Sequence, residues 1–444
     1  MARGATESRR FVYRRIVRLA DPVTMGDDLV IVNASELITL KGPRRARAKH
    51  EMSDLAIIRD GAVAVSDGVV VDVGRTESIL KEHDAVGVDK IDASGRVVMP
   101  GFVDPHTHLV YAGSREFELE LKARGKSYLE ILNEGGGILR TLRDTREAPP
   151  HELFAQSAKR LESMISHGST TIEVKSGYGL DKETELKLLE TVAKLGHDYP
   201  VDLIPTFLGA HAVPPEFQGR PDEYIEFVVR DVLPEVAKRR LAEFCDVFCE
   251  KSVFDVDQSR KVLLAAKALG MGLKVHADEI HSSGGAELAA EVGAISADHL
   301  ARPSDDGIMA MARKDVIGVL LPGTPYSSMS KDYADGRRLI DLGVPIALGT
   351  DLNPNCWNES MQFTVSLACH KMRMTPAEAV TAATINAAAA LGVDKKVGSI
   401  ERGKRADIIV LDVPGHAHIP YKFGTNLCSL VVKDGKTVWE KQPF

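Results

Sequence analysis

Cysteine is scarce in this chain: five of 444 residues, Cys245, Cys249, Cys356, Cys369 and Cys428. An odd, unevenly spaced set of this kind fits reduced thiols in a cytosol better than a secreted disulfide framework. Cys245 and Cys249 lack a second cysteine pair and read as core thiols. No apolar run approaches the length of a membrane span. Basic charge is not in excess: 56 Lys and Arg against 63 Asp and Glu leave a net charge of −7 and a pI of about 6.1, which argues against a nucleic-acid binder. There is no repeat of fixed period and no low-complexity segment. The glycines Gly135 to Gly137 lack the flanking strand, Lys-Ser/Thr pair and helix of a phosphate loop, and read as a flexible lid. The arginine-rich start has no continuous apolar core and so is not a secretory signal; residues 1–25 read as a basic extension, with a weak organelle-targeting segment as the alternative.

What remains has the composition of a soluble globular protein, long enough to bury a large core without staples. Three regimes follow one another. From Leu29 to Val98 the pattern is short strands with turn pairs, Asp60-Gly61 and Asp67-Gly68 among them. From Gly101 to Gly398, strand-like apolar runs alternate with helical stretches. After Ser399 strand patterns return in "ADIIVLDV" and "CSLVVKDGKTVWE", with Asp434-Gly435 as a hairpin turn. In the middle regime eight strands are expected to end near His108, Lys175, His211, Glu250, His276, His299, Leu321 and Asp351. One intervening helix, "DKETELKLLETVAKLG", is expected to bury Leu186, Leu189 and Ala193. Another, "MTPAEAVTAATINAAAALG", should run from a Thr375 cap and Pro376 to Gly392. Eightfold strand–helix alternation predicts an α/β fold, a (β/α)8 TIM barrel over residues 101–398. The flanking β segments, 26–100 and 399–444, are too short to stand alone and should pair as one small β-sandwich domain made from both chain ends.

Polar residues gather at the expected C-terminal strand ends, where such a barrel builds its active site. His106 and His108 are two apart, so on a strand both face inward if either does. Asp351 ends the last strand, which adjoins the first in a closed barrel, and His276 ends the fifth. Three histidines and an aspartate suit a catalytic zinc or iron with a position left for water. Each histidine alone reads as an ordinary structural residue; the set of four does not. Glu279, in "HADE", sits where it can take a proton from activated water and pass it to a leaving nitrogen. His299, in "SADHL", can orient the water or stabilise an oxyanion. Arg115 and Tyr178, beyond strands one and two, are either a grip for a substrate carboxylate or ordinary surface residues, and His211 after strand three is equally open.

These motifs resemble the amidohydrolase superfamily. "PGFVDPHTH", "KVHADE", "ADHL", "GTDLNP" and "GSIERGKRADIIVLD" are similar to its markers and span most of the chain. The ordered set "HLVYAGSRE", "GGGI", "KSGYGL", "LGAHAVP" and "HADE" narrows the resemblance to its branch that opens an imidazolone ring in histidine degradation. The resemblance implies hydrolysis of the cyclic amide 4-imidazolone-5-propanoate to N-formimidoyl-L-glutamate, with one Zn²⁺ or Fe³⁺ per chain held by His106, His108, His276 and Asp351. It implies Glu279, His299 and Asp351 as the catalytic set, and Arg115, Tyr178, His211, Glu279, Asn353, Asn355 and Cys356 around a small carboxylate-bearing substrate. Asn355 stands where many members carry glycine. A cytoplasmic enzyme without nucleic-acid or membrane partners is expected, with a homodimer as one possible assembly. The residue pattern leaves three rivals: a deaminase of the same superfamily, a two-metal hydantoinase-like enzyme using Lys251, and a non-catalytic scaffold.

Overall fold

In the computed structural model, residues 29–83, 88–126, 130–131 and 134–442 are described; the basic N-terminal extension lies outside them. Eight parallel strands follow one another in chain order around a single sheet: Phe102–Asp104, Ser169–Lys175, Asp202–Ala210, Phe244–Cys249, Gly272–Ala277, Ser296–His299, Ile317–Leu320 and Ile346–Leu348. Each expected strand exists. The first and last end earlier than expected, so His106, His108 and Asp351 lie just past their strands rather than on them. There the barrel closes. Thr107 bridges Leu352 in parallel, His108 N donates to Leu352 O at 2.8 Å, and Asp351 N donates to His106 O at 3.0 Å. The seam is locked from below by buried Asp104, whose carboxylate accepts from Thr350 Oγ1 at 2.6 Å and from its backbone N at 3.1 Å.

The flanking segments form two sheets. One has four strands, in spatial order Val69–Arg75, Gly61–Ser66, Leu29–Ala34 and Asp89–Asp92. The other has six, in order Lys436–Glu440, Cys428–Lys433, Ile408–Leu411, Val97–Pro100, Glu36–Ile38 and Ile57–Ile58. The second therefore joins both ends of the chain. Alternation along its strands gives it two apolar faces. Val98, Ile408, Val410 and Val432 pack on Leu29, Ile31, Val63 and Val65 of the first sheet, while Val97, Met99, Ile409 and Leu411 join the core that includes the barrel residue Phe102. Two of the three expected turn pairs form as such; at the third the turn is Arg59-Asp60, with Asp60 at positive φ and Gly61 already the first residue of a strand. Asp67-Gly68 and Asp434-Gly435 all have positive φ, as a two-residue hairpin loop of the twisted type demands.

Two helix expectations need correction. In Lys182–Asp198, capped by Asp181, the buried face is Leu188, Leu189, Val192 and Leu195; Leu186 is only half-buried and Ala193 is exposed. The helix expected from Thr375 to Gly392 lies beyond another, Met361–Met372, that follows the last strand, and is itself two helices, Pro376–Ala382 and Ile385–Ala390. Thr375 caps the first in a box with Glu378, but Thr384 leaves helical geometry (φ −133°, ψ −95°). Asn386, buried at the start of the second, uses its amide to hold Arg47 and the carbonyl of Ile346. That tertiary demand breaks a segment whose local propensity favours one continuous helix. Among the described residues no helix is long and apolar enough to cross a membrane.

Candidate metal centre and active site

The expected ligand set comes together at the closing seam. One ring nitrogen from each of His106, His108 and His276 lies within 4.8 Å of the other two, and Asp351 Oδ1 is 3.6 Å from His106 Nε2 and 3.7 Å from His108 Nε2. Asp351 adopts φ +51°, a left-handed turn uncommon for a residue with a side chain, and Thr324 Oγ1 hydrogen-bonds its other oxygen. Two of the imidazoles are oriented from beneath. His106 Nδ1 donates to Asp298 Oδ2 at 2.6 Å, and His276 Nδ1 is 2.9 Å from Asp246 Oδ2. This leaves Nε2 of each facing the cluster, and both Nε2 atoms are buried without a hydrogen-bond partner. Such orphaned acceptors are costly unless a ligand meets them. Burial first, then the nearby cationic groups, hold His106 and His108 well below the usual imidazole range, so both are neutral donors. Burial opposes charge on His276 while Asp246 favours positive charge beside it, which a metal ion at Nε2 in place of a proton would supply. The donor set therefore fits a divalent or trivalent metal ion.

Glu279 follows in the loop after strand five. Buried Glu250 accepts from the backbone N of Ile280 and His281 at 3.0 and 3.1 Å, and Asp278 accepts from Ser283 N at 2.7 Å and Ala286 N at 2.9 Å. The loop is fastened on both sides of Glu279, whose Oε2 lies 3.6 Å from His299 Nε2. Burial, reinforced by the neighbouring Asp351 carboxylate, pushes Glu279 up to about 7, a range in which a carboxyl group can both accept and give up a proton near neutral pH. His299 sits 5.1 Å from the His276 ring and 5.4 Å from the His106 ring, centroid to centroid, and burial keeps it neutral.

The other expected residues form a wall and a rim. His211 stacks on His108 with centroids 5.0 Å apart, its Nδ1 3.0 Å from Gly177 O, and Tyr178 lies 5.5 Å from His108. Arg115 is buried, with Nε and Nη2 donating to Glu118 at 2.7 and 2.8 Å. Glu118 also accepts from Gly137 N at 2.7 Å, so the glycine run read as a lid is tied to the arginine clamp. Asn355 accepts from Lys122 Nζ at 2.6 Å, linking the loop after strand eight to the helix Phe117–Ala123. Asn353 is engaged within its own loop: Oδ1 accepts from the backbone N of Asn355 and Cys356, and Nδ2 donates to Asp351 O. Cys356 is buried, its Sγ 3.7 Å from Thr350 O.

Lys251 is exposed, and strand four turns Asp246, not a lysine, toward the histidines, so the two-metal rival lacks its bridging lysine. Sequence reading missed what lies under the candidate metal site. Glu173, Lys175, Asp246, Lys274 and Asp298 form a layer of charged side chains with no exposure to solvent. The signal was available: "EVK", "CDVF", "LKVH" and "SADH" place charges at alternate positions of strands that must face the barrel axis.

A closed parallel barrel with histidine and aspartate ligands at its C-terminal mouth defines a metal-dependent hydrolase of the amidohydrolase class. Residues 97–438 match the amidohydrolase family, and the chain belongs to it. Among its relatives are the imidazolonepropionase of Geobacillus kaustophilus, 52% identical over 92% of this chain and 97% of that one, and the imidazolonepropionase of Clostridium tetani, 48% identical over 93% and 99%. Among solved structures, an adenosine deaminase from Xanthomonas campestris with bound zinc superposes with a TM-score of 0.66 at 18% identity, covering 93% of this chain and 92% of that one. This last likeness is one of fold.

Proposed function

We propose that this chain hydrolyses 4-imidazolone-5-propanoate to N-formimidoyl-L-glutamate, the ring-opening step of histidine degradation. The observation that carries the reading is identity of about half its residues with imidazolonepropionases over nearly the full length of both chains. Water adds to the cyclic amide carbonyl, the C–N bond breaks, and the departing ring nitrogen takes up a proton. His106, His108, His276 and Asp351 would hold one Zn²⁺ or Fe³⁺, which when bound makes water acidic and polarises a carbonyl. Glu279 Oε2 accepts the proton of the attacking water and returns it to the leaving nitrogen. His299, 3.6 Å from that carboxylate, positions the proton transfer and donates to the oxygen that gains charge. His211, stacked on His108, and Tyr178, tilted against both, form an aromatic wall for the planar ring. Arg115, whose Nε/Nη2 edge is taken by Glu118, would use its remaining N–H donors to hold the propionate. Asn353, Asn355 and Cys356 complete the rim beyond strand eight, with Asn353 shaping that loop. The test is to supply the purified, metal-analysed enzyme with 4-imidazolone-5-propanoate and follow loss of substrate together with N-formimidoyl-L-glutamate formation. Stoichiometric conversion is expected; a chain that binds metal yet leaves this compound intact sinks the reading.

A further inference from the structure

Beneath the metal ligands, one lysine meets the carboxylates that orient two of them. Lys175 Nζ, at the end of strand two, lies 2.8 Å from Asp246 Oδ2, 2.9 Å from Glu173 Oε2 and 3.6 Å from Asp298 Oδ2, and every one of these side chains has zero exposure. Asp246 is the partner of His276, and Asp298 is the partner of His106. The remaining oxygens are also fixed: Asp246 Oδ1 accepts from the backbone N of His276 and Val247 at 3.1 and 2.7 Å, and Asp298 Oδ1 accepts from Ser296 Oγ at 2.6 Å. Lys274, the second ammonium of the layer, is 3.2 Å from Glu173 and donates to Pro105 O at 3.0 Å. The layer thus sets three carboxylates against two ammonium groups. Two carboxylates brought this close repel each other unless a cation lies between them, and in a low-dielectric interior that repulsion is large.

We infer that Lys175 is a positioning residue for the metal centre: it holds Asp246 and Asp298 together, and through them fixes the ring orientation of His276 and His106. Partners of ligating histidines set ring direction and metal affinity; here one ammonium serves two of them across three strands. The inference rests on the metal-site reading above. Its purpose is distinct from proton transfer, because Lys175 touches the ligands' partners and not the reacting groups.

The test titrates metal-stripped full-length protein with Zn²⁺ in competition with a chromophoric chelator, and records the visible spectrum of the Co²⁺-loaded form. Lys175→Met is expected to bind Zn²⁺ about 10- to 100-fold more weakly than wild type, with a shifted Co²⁺ band, as loss of a ligand's oriented partner does. Ile31→Ala, which weakens the distant sandwich core, is expected to keep wild-type affinity and spectrum, separating general destabilisation from a change at the ligands. A wild-type chain that binds no metal overturns the site reading and this inference with it; a folded Lys175→Met protein within about threefold of wild-type affinity overturns this inference alone. If Lys175→Met fails to fold, Lys175→Met/Asp298→Asn removes one charge of each sign. That protein should bind Zn²⁺ at least about threefold more weakly than Asp298→Asn alone, because Asp246 has still lost its cation. Equal affinity for the two overturns the inference.

Discussion

The sandwich and the barrel mouth are built from the same material, short strands, with opposite contents. In the sandwich, the residues facing the shared core are Leu29, Ile31, Val63, Val98, Ile408 and Val432. Under the barrel mouth, the inward positions are Glu173, Lys175, Asp246, Lys274, His276 and Asp298. Hydrophobic burial holds the first together without directional demands. The second is held by ion pairs and hydrogen bonds that must all be made at once, since an unpaired buried charge is expensive. The sandwich is a source of stability. The mouth spends conformational ease as well: Asp278, His299 and Asp351 have φ of +52°, +75° and +51° at the ends of strands five, six and eight.

If that division is right, substitutions in the two regions must fail differently. The largest expected effect is at Glu279. Glu279→Gln should lower kcat by about 10³-fold or more while metal content stays at the wild-type level, measured by steady-state kinetics and elemental analysis. Near-normal turnover would remove Glu279 from the mechanism. Ile31→Ala should do the reverse: a loss of about 2–4 kcal/mol in unfolding free energy by denaturant titration, with kcat and KM essentially unchanged. A fall in kcat there would show that the sandwich tunes the site.

Arg115→Ala should raise KM for the propionate-bearing substrate by about 10- to 100-fold, with a smaller change in kcat. An unchanged KM would assign the carboxylate to another group. It would also favour the deaminase-like rival, which needs no such grip. The mildest effect is on pH. Because burial and Asp351 push Glu279 up to about 7, and the base must be ionised, kcat/KM should rise as pH is raised through about 7 and level above it. Below that point the slope should approach about tenfold per pH unit. A flat profile from pH 5 to 8 would contradict an ionised Glu279 as the proton acceptor.

Much of this was legible in the residues. The existence and order of the eight strands were, because apolar runs bounded by helical periodicity recur eight times, although the first and last end early. So was the gathering of the candidate ligands, because His-x-His, "HADE" and "GTD" fall at or just past ends of strands that a barrel makes neighbours. Ala193 was misplaced because several apolar positions of its helix fit more than one face, and only the packed sheet selects among them. The break at Thr384 was hidden because alanine-rich sequence favours helix, and the reason for stopping, Asn386 holding Arg47, lies 339 residues away in the chain. The charged layer was passed over because Lys, Glu and Asp on a strand ordinarily face water. The clamp of Arg115 by Glu118 was invisible for a related reason: an i,i+3 pair is common on any exposed helix start, and only the buried setting gives it meaning.

By itself the sequence determined the barrel, the two-ended sandwich and the identity of the chemical groups, since all three follow from periodicity, order and residue type. Tertiary structure alone decided how those groups meet. His106 finds its orienting partner in Asp298, 192 residues on, and its fellow ligand Asp351 across the closing seam. Such contacts depend on strand register and on a low-dielectric interior where every charge needs a partner. Neither is written in any local stretch of the chain.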